Sequence, residues 1–158
     1  MNKYNRKQLR LYGYDYSLNG AYFITICTEK RKKILCDINV GEGLSPLPII
    51  NLSDIGKEVQ RSVEFINQNT PNVTIDKYVI MPNHIHMIVI IDNEWDGAGT
   101  PPLQSVVGRI KSYTTNKYGR PLWQRSYYDH IIRDENDYIN IWNYIDTNPS
   151  QWAHDEYY

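Results

Sequence analysis

The sequence predicts an α+β fold, a split βαβ layout of the ferredoxin-like kind, with a four-stranded antiparallel sheet and two helices on one face. Three observations lead there. Short β-branched and aromatic runs alternate with two amphipathic stretches in the order β-α-β-β-α-β. The middle two strands are separated only by Pro82-Asn83, too short for anything but an antiparallel hairpin. A further amphipathic stretch closes the order as an extra helix. With 158 residues and 41% apolar content, the chain makes one domain with a core of its own.

The elements follow in turn. Asn19-Gly20 precedes Tyr22-Phe23-Ile24-Thr25-Ile26-Cys27-Thr28, whose composition suits a strand. Gly41 to Pro48, with two glycines and two prolines, reads as a loop. Ser53 is a natural N-cap, and Ile55, Val59, Val63 and Ile66 at helical spacing predict a helix over 53–69, broken by Pro71-Asn72. Val73 to Met81 and His84 to Ile91 are the hairpin strands. After a loop from Asp92 to Pro102, a second helix over 103–118 is marked by Val106 or Val107, Ile110, Tyr113 and Tyr118, and ended by Gly119 and Pro121. Trp123 to Arg133, with Tyr128, His130 and Ile132 alternating, is the fourth strand. Asp134 caps the last helix, with Asp137 at its N3 position, and Pro149 stops it by disfavouring the α conformation at Asn148.

Composition removes several classes of function. No apolar run reaches membrane-spanning length, and the polar N-terminus lacks a signal-like apolar region. Cys27 and Cys36 make neither a disulfide framework nor a thiolate metal site. The expectation is a cytosolic globular domain over 1–158, made of a basic segment (1–20), a core (21–149) and a short tail (150–158). The formal charge of −1 conceals segregation: residues 1–33 carry eight Lys/Arg (Lys3, Arg6, Lys7, Arg10, Lys30, Arg31, Lys32, Lys33) against Asp15 and Glu29. A second basic zone holds Arg109, Lys111, Lys117, Arg120, Arg125 and Arg133 against Asp129. Such local fields suit phosphates, and fourteen tyrosines add surface on which bases can stack.

His84-Ile85-His86 is the sharpest local feature. The strand period of two puts both imidazoles on one face with Ile88 and Ile90, and leaves Ile85, Met87, Val89 and Ile91 to pack on helices. Paired imidazoles suit a divalent cation with positions left open for substrate oxygens. On the last helix Tyr138, Ile141, Trp142 and Ile145 form an apolar stripe. Tyr144 and Asn148, one turn apart on its flank, could supply a nucleophile and a third ligand.

Met81-Pro82-Asn83-His84-Ile85-His86, then Trp123 to Arg133, then Tyr144-Ile145-Asp146-Thr147-Asn148-Pro149 resemble the successive motifs of the REP-associated tyrosine transposases, a single-tyrosine branch of the HUH DNA nucleases. Gly13-Tyr14-Asp15-Tyr16 and the first strand also fit, so the resemblance spans nearly the whole chain. It implies metal ligation of Mg²⁺ or Mn²⁺ by His84, His86 and Asn148, and a nucleophilic Tyr144. The reaction it implies is cleavage of single-stranded DNA beside a hairpin through a 5′-phosphotyrosine link, resealed without ATP. DNA contacts are expected from Arg109, Lys111, Arg125 and His130. Dimerisation is common among relatives, and a DNA-handling role places such a protein at the nucleoid. Two other readings are weaker. An RRM-like binding module on the same fold expects aromatics in an RNP pattern where His84 and His86 stand, and a zinc hydrolase lacks HExxH.

Overall fold

The computed structural model describes residues 19–40, 47–92, 101–155 and 157. The basic residues Lys3, Arg6, Lys7 and Arg10, the Gly13–Tyr16 motif and most of the two long loops lie outside the described residues. The elements are β1 (Gly20–Cys27), β2 (Cys36–Val40), β3 (Pro48–Leu52), α1 (Asp54–Asn69), β4 (Val73–Met81), β5 (His84–Ile91), α2 (Leu103–Tyr118), β6 (Tyr128–Ile132) and α3 (Glu135–Thr147). A 3₁₀ segment, Asn148–His154, follows α3.

Four strands form one antiparallel sheet in the order β4-β5-β1-β6, with β1 and β5 at its centre. This is the α+β, ferredoxin-like arrangement expected. On one face, Tyr22, Ile24 and Ile26 of β1 and Ile85, Met87, Val89 and Ile91 of β5 pack with α1 (Val59, Val63, Ile66) and α2 (Leu103, Val106, Val107, Ile110). The alternate residues of the same strands point to the opposite face, where α3 packs Ile145, Tyr138 and Ile141 against Val79, Met81 and Ile88. Period-two alternation in two central strands thus gives the sheet two apolar faces, one for each helical layer.

Caps hold the helices in phase. The Ser53 hydroxyl accepts from Gly56 N at 3.1 Å, and the Asp134 carboxylate accepts from Asp137 N at 2.9 Å. Gly119, at φ 75°, ends α2 in the left-handed conformation that glycine adopts without strain. The first turn of α1 lies against the backbone of Leu35: Ser53 N donates to Leu35 O at 3.0 Å, and a Cβ on Gly56 would sit 2.0 Å from that same oxygen. Only glycine fits there.

Four expectations are corrected. A second, two-stranded sheet, β2 paired with β3, takes in Pro48, which the sequence placed in a loop; its Ile38 and Ile50 pack beside Val79 and Met81. Tyr113 is not on the buried face of α2: Leu103, Val106, Val107, Ile110 and Thr114, at i, i+3, i+4, i+7 and i+11, fill that face, and Tyr113 stands one position aside, 39% exposed. The fourth strand pairs continuously only over 128–132, with an isolated bridge from Trp123 to Thr28; between them Lys111 Nζ donates to the carbonyls of Gln124, Arg125 and Ser126 at 2.8, 3.2 and 3.2 Å and holds the chain in a bend. Pro149 does not drive Asn148 from the α region (φ −55°, ψ −42°). The missing proline N–H falls in the first turn of the 3₁₀ segment, where no partner is needed, and burial of Asn148 and Pro149 holds the conformation.

Candidate active site

The site is built on the C-terminal end of β1 and the N-terminal end of β5. Register sets Cys27 opposite His84, Thr25 opposite His86 and Phe23 opposite Ile88, all on the α3 face. His84 and His86 are 0% and 1% exposed, so each needs a partner for its ring nitrogens. His84 Nδ1 lies 2.8 Å from Asn83 Oδ1. The Asn83 amide cannot be turned over, because its Nδ2 donates to Tyr157 O at 2.5 Å. An amide oxygen only accepts, so His84 carries its proton on Nδ1 and presents a bare lone pair at Nε2. His86 Nδ1 meets the Thr25 hydroxyl at 2.7 Å. The two Nε2 atoms face each other at 3.0 Å.

Burial, helped by the Arg31 charge, pushes the His84 pKa down to about 3. Burial and the neighbouring His84 also hold His86 well below its ordinary value, against the pull of Asp155. Both rings are therefore neutral at pH 7, the form that ligates metal.

α3 is fixed over this face by polar contacts along its length. His130 Nε2 meets Asp137 Oδ2 at 2.8 Å, the Tyr138 hydroxyl donates to Asp76, and Lys77 Nζ pairs with Asp146 Oδ1 at 2.6 Å while lying 3.8 Å from the Trp142 ring centroid. With the helix so phased, Tyr144 stands 40% exposed at its flank, its hydroxyl 3.4 Å from His86 Nε2. Its ring meets Phe23 edge-on at 6.0 Å. One turn on, Asn148 is 4% exposed. Its Nδ2 donates to Asp155 Oδ2 at 2.9 Å, and its Oδ1 is buried with no hydrogen-bond partner.

The structure brings His84, His86, Tyr144 and Asn148 together. His130 shares their face but is engaged with the start of α3. Arg109 and Lys111 ride on α2, across the sheet from the histidines; Arg109 reaches Thr70, and Lys111 holds the turn containing Arg125. Nearer the histidines is the turn Glu29–Arg31, where Lys30 and Arg31 both adopt left-handed backbone (φ 53° and 52°). Thr28 pins this turn: its hydroxyl reaches Lys32 O at 2.8 Å and Asn83 O at 3.0 Å. The Arg31 guanidinium lies 5.2 Å from the Tyr157 ring centroid. Sequence reasoning passed over Asp155 and Tyr157, whose ring centroid is 4.6 Å from that of His84. Their signal was slight: one of two adjacent acids, and one of two adjacent tyrosines, in the tail.

The residues present fit a divalent cation. Two ligands at right angles on an ion with bonds of about 2.1 Å are about 3.0 Å apart, the separation of the two Nε2 atoms. The buried Asn148 oxygen supplies a further donor that meets no hydrogen-bond partner among the described residues. Among the described residues, His84, His86 and Asp155 each offer a ligand atom within 4.8 Å of the others.

No family model matches the chain. An uncharacterized protein of Haemophilus influenzae is 36% identical to it, over 98% of this chain and 94% of the relative. A second protein of that organism, named "Putative REP-associated tyrosine transposase", is 25% identical over 87% of this chain and 74% of its own length. The chain is similar to the REP-associated tyrosine transposases. A solved REP-associated tyrosine transposase bound to a REP hairpin superposes with a TM-score of 0.65 at 21% identity, covering 99% of this chain and 77% of that one, and shares its fold. This likeness makes the chain a transposase-like protein. No helix among the described residues is long and apolar enough to cross a membrane.

Proposed function

We propose that this protein is a metal-dependent single-stranded DNA endonuclease and strand transferase, cutting beside hairpin DNA through a 5′-phosphotyrosine at Tyr144. The observation that carries the reading is the Tyr144 hydroxyl, 3.4 Å from His86 Nε2 and partly open to solvent, beside two imidazoles poised to bind a cation. His84, His86 and Asn148 Oδ1 would hold Mg²⁺ or Mn²⁺. Such an ion neutralises charge on a phosphate as the transition state forms.

The protein's own part is positional. Tyr144 is held by α3 at a fixed distance from the ligands, so nucleophile and phosphate need not find each other. Its oxygen forms a bond to phosphorus as the bond to the 3′ oxygen breaks; the phenol loses its proton and the 3′ oxygen gains one. One phosphodiester replaces another, so the 3′-OH can reverse the step with no nucleotide cofactor. The exposed Lys30, Arg31, Lys32 and Lys33 would steer the strand to this end of the sheet.

The test is to incubate the protein with end-labelled single-stranded hairpin DNA and Mn²⁺ and to look for an SDS-stable adduct. Adduct mapped by mass spectrometry to Tyr144 is the expected result. Absence of adduct across varied hairpins, or a link to Tyr127 or Tyr128, overturns the reading.

A further inference from the structure

We infer that Asp155 is a carboxylate ligand of the same cation, which makes the segment after α3 part of the metal centre. The inference rests on the metal reading above. Asp155 is the one acidic residue grouped with the two histidines among the described residues, with ligand atoms within 4.8 Å of one another. Its carboxylate is held in place at both oxygens: Tyr157 N donates to Oδ1 at 2.8 Å, and Asn148 Nδ2 donates to Oδ2 at 2.9 Å. Each oxygen keeps lone-pair capacity after accepting one bond.

The second observation comes from the other end of the same amide. With Nδ2 committed to Asp155, Asn148 Oδ1 is buried and meets no donor among the described residues, which is costly unless something electropositive comes to it. A cation beside His84 and His86 answers both features, taking the amide oxygen and the carboxylate together. Asn148 then acts twice, as a ligand through Oδ1 and as the group that positions Asp155 through Nδ2.

Chemistry favours this set. Two imidazoles and an amide carry no charge, and a purely neutral set suits hard, strongly hydrated cations poorly; one carboxylate supplies the anionic oxygen they prefer. Anchoring supports it as well. The segment bearing Asp155 is seated by Trp152, packed against the α3-face core, and by Tyr157, whose ring lies on His84 and whose carbonyl accepts from Asn83.

The experiment reads metal affinity, not cleavage. Full-length protein without DNA is titrated with Mn²⁺, and free Mn²⁺ is followed by EPR, for wild type, His84→Ala and Asp155→Asn. The isosteric Asn removes the charge and keeps one acceptor oxygen where the carboxylate offered two. The expected result is binding by wild type, loss in His84→Ala, and a fall of about tenfold or more in Asp155→Asn. Affinity within twofold of wild type in Asp155→Asn overturns the inference and leaves the metal reading intact. Wild type that binds no Mn²⁺ overturns the metal reading itself. Should Asp155→Asn fold poorly by its melting curve, wild type labelled with ¹³C-carboxylate aspartate decides: a ¹³C hyperfine coupling at bound Mn²⁺ is expected, and its absence rejects Asp155 as a ligand.

Discussion

Tyr144→Phe removes a single oxygen, and its two consequences separate sharply. The hydroxyl lies 3.4 Å from His86 Nε2, near the outer limit of a hydrogen bond. The ring, 40% exposed, keeps its packing on Phe23 and His86 in the variant. A well-formed hydrogen bond contributes about 1 kcal/mol, so this one contributes about 0.5 kcal/mol or less. In a domain of this size that lowers Tm by about 1–2 °C. The nucleophile, by contrast, is lost outright, and SDS-stable adduct should fall to background while Mn²⁺ and hairpin binding stay near wild type. Calorimetry and a gel of the labelled adduct, run on the same preparation, read both. Adduct formed by the variant at wild-type rate refutes Tyr144 as nucleophile. A Tm loss above about 5 °C refutes the small structural weight given to that contact.

Other perturbations test the surroundings. Gly56→Ala places a Cβ 2.0 Å from Leu35 O and should cost about 2 kcal/mol or more by urea denaturation; an unchanged midpoint contradicts the close approach. Tyr138→Phe should keep adduct formation. The hydrogen bond to Asp76 pushes the Tyr138 hydroxyl up to about 12, so the stability it lends is complete below about pH 10, where the unfolded tyrosine is still protonated, and is lost between about 10 and 12. The stability gap between wild type and Tyr138→Phe should therefore narrow from pH 8 to pH 11, and a constant gap speaks against it. Burial, with Asp37 nearby, pushes the Cys36 thiol up to about 12, so iodoacetamide at pH 8.5 should leave it unmodified in the native protein; rapid labelling would show that the site opens. Replacing Lys30 and Lys33 by Ala should flatten the log–log salt dependence of single-stranded DNA binding by about 0.7 for each phosphate that is no longer neutralised. The change should exceed that from Arg109→Ala with Lys111→Ala, and the reverse order would move the DNA to the α2 side.

The sequence made the sheet legible because its strands are strongly patterned. His84 to Ile91 alternates between two environments, and both were readable without coordinates: one face covered by helices, the other bearing the imidazoles. Helix boundaries followed from caps with a physical role, Ser53, Asp134 and Gly119. The hairpin of β2 and β3 was missed although Cys36-Asp37-Ile38-Asn39-Val40 alternates with period two, because the strands are only five residues long and Asp37, Asn39, Asn51 and Pro48 are poor strand formers. Lys111 shows another limit: composition marks a positive charge but not the three carbonyls that hold it. The surroundings of the histidines divide likewise. Tyr144 and Asn148 are one turn apart on a helix, so spacing related them. Asp155 reaches them through a 3₁₀ segment, and no simple periodicity connects it to Asn148.

The two faces of the sheet are unequal, and this has a bearing on how the molecule breathes. Among the described residues, twenty-one buried apolar side chains join the sheet to α1 and α2, and only four form the buried centre on the α3 side. Opening α3 away from β4 and β5 exposes far less apolar surface than unfolding the rest, so it is the cheaper excursion and occurs first as conditions worsen. Amide hydrogens of α3 should exchange with deuterium well before those of β1 and β5. In that opened form the sheet keeps its imidazoles while the tyrosine has swung away. Activity would then vanish reversibly at temperatures where circular dichroism still reports a largely native chain.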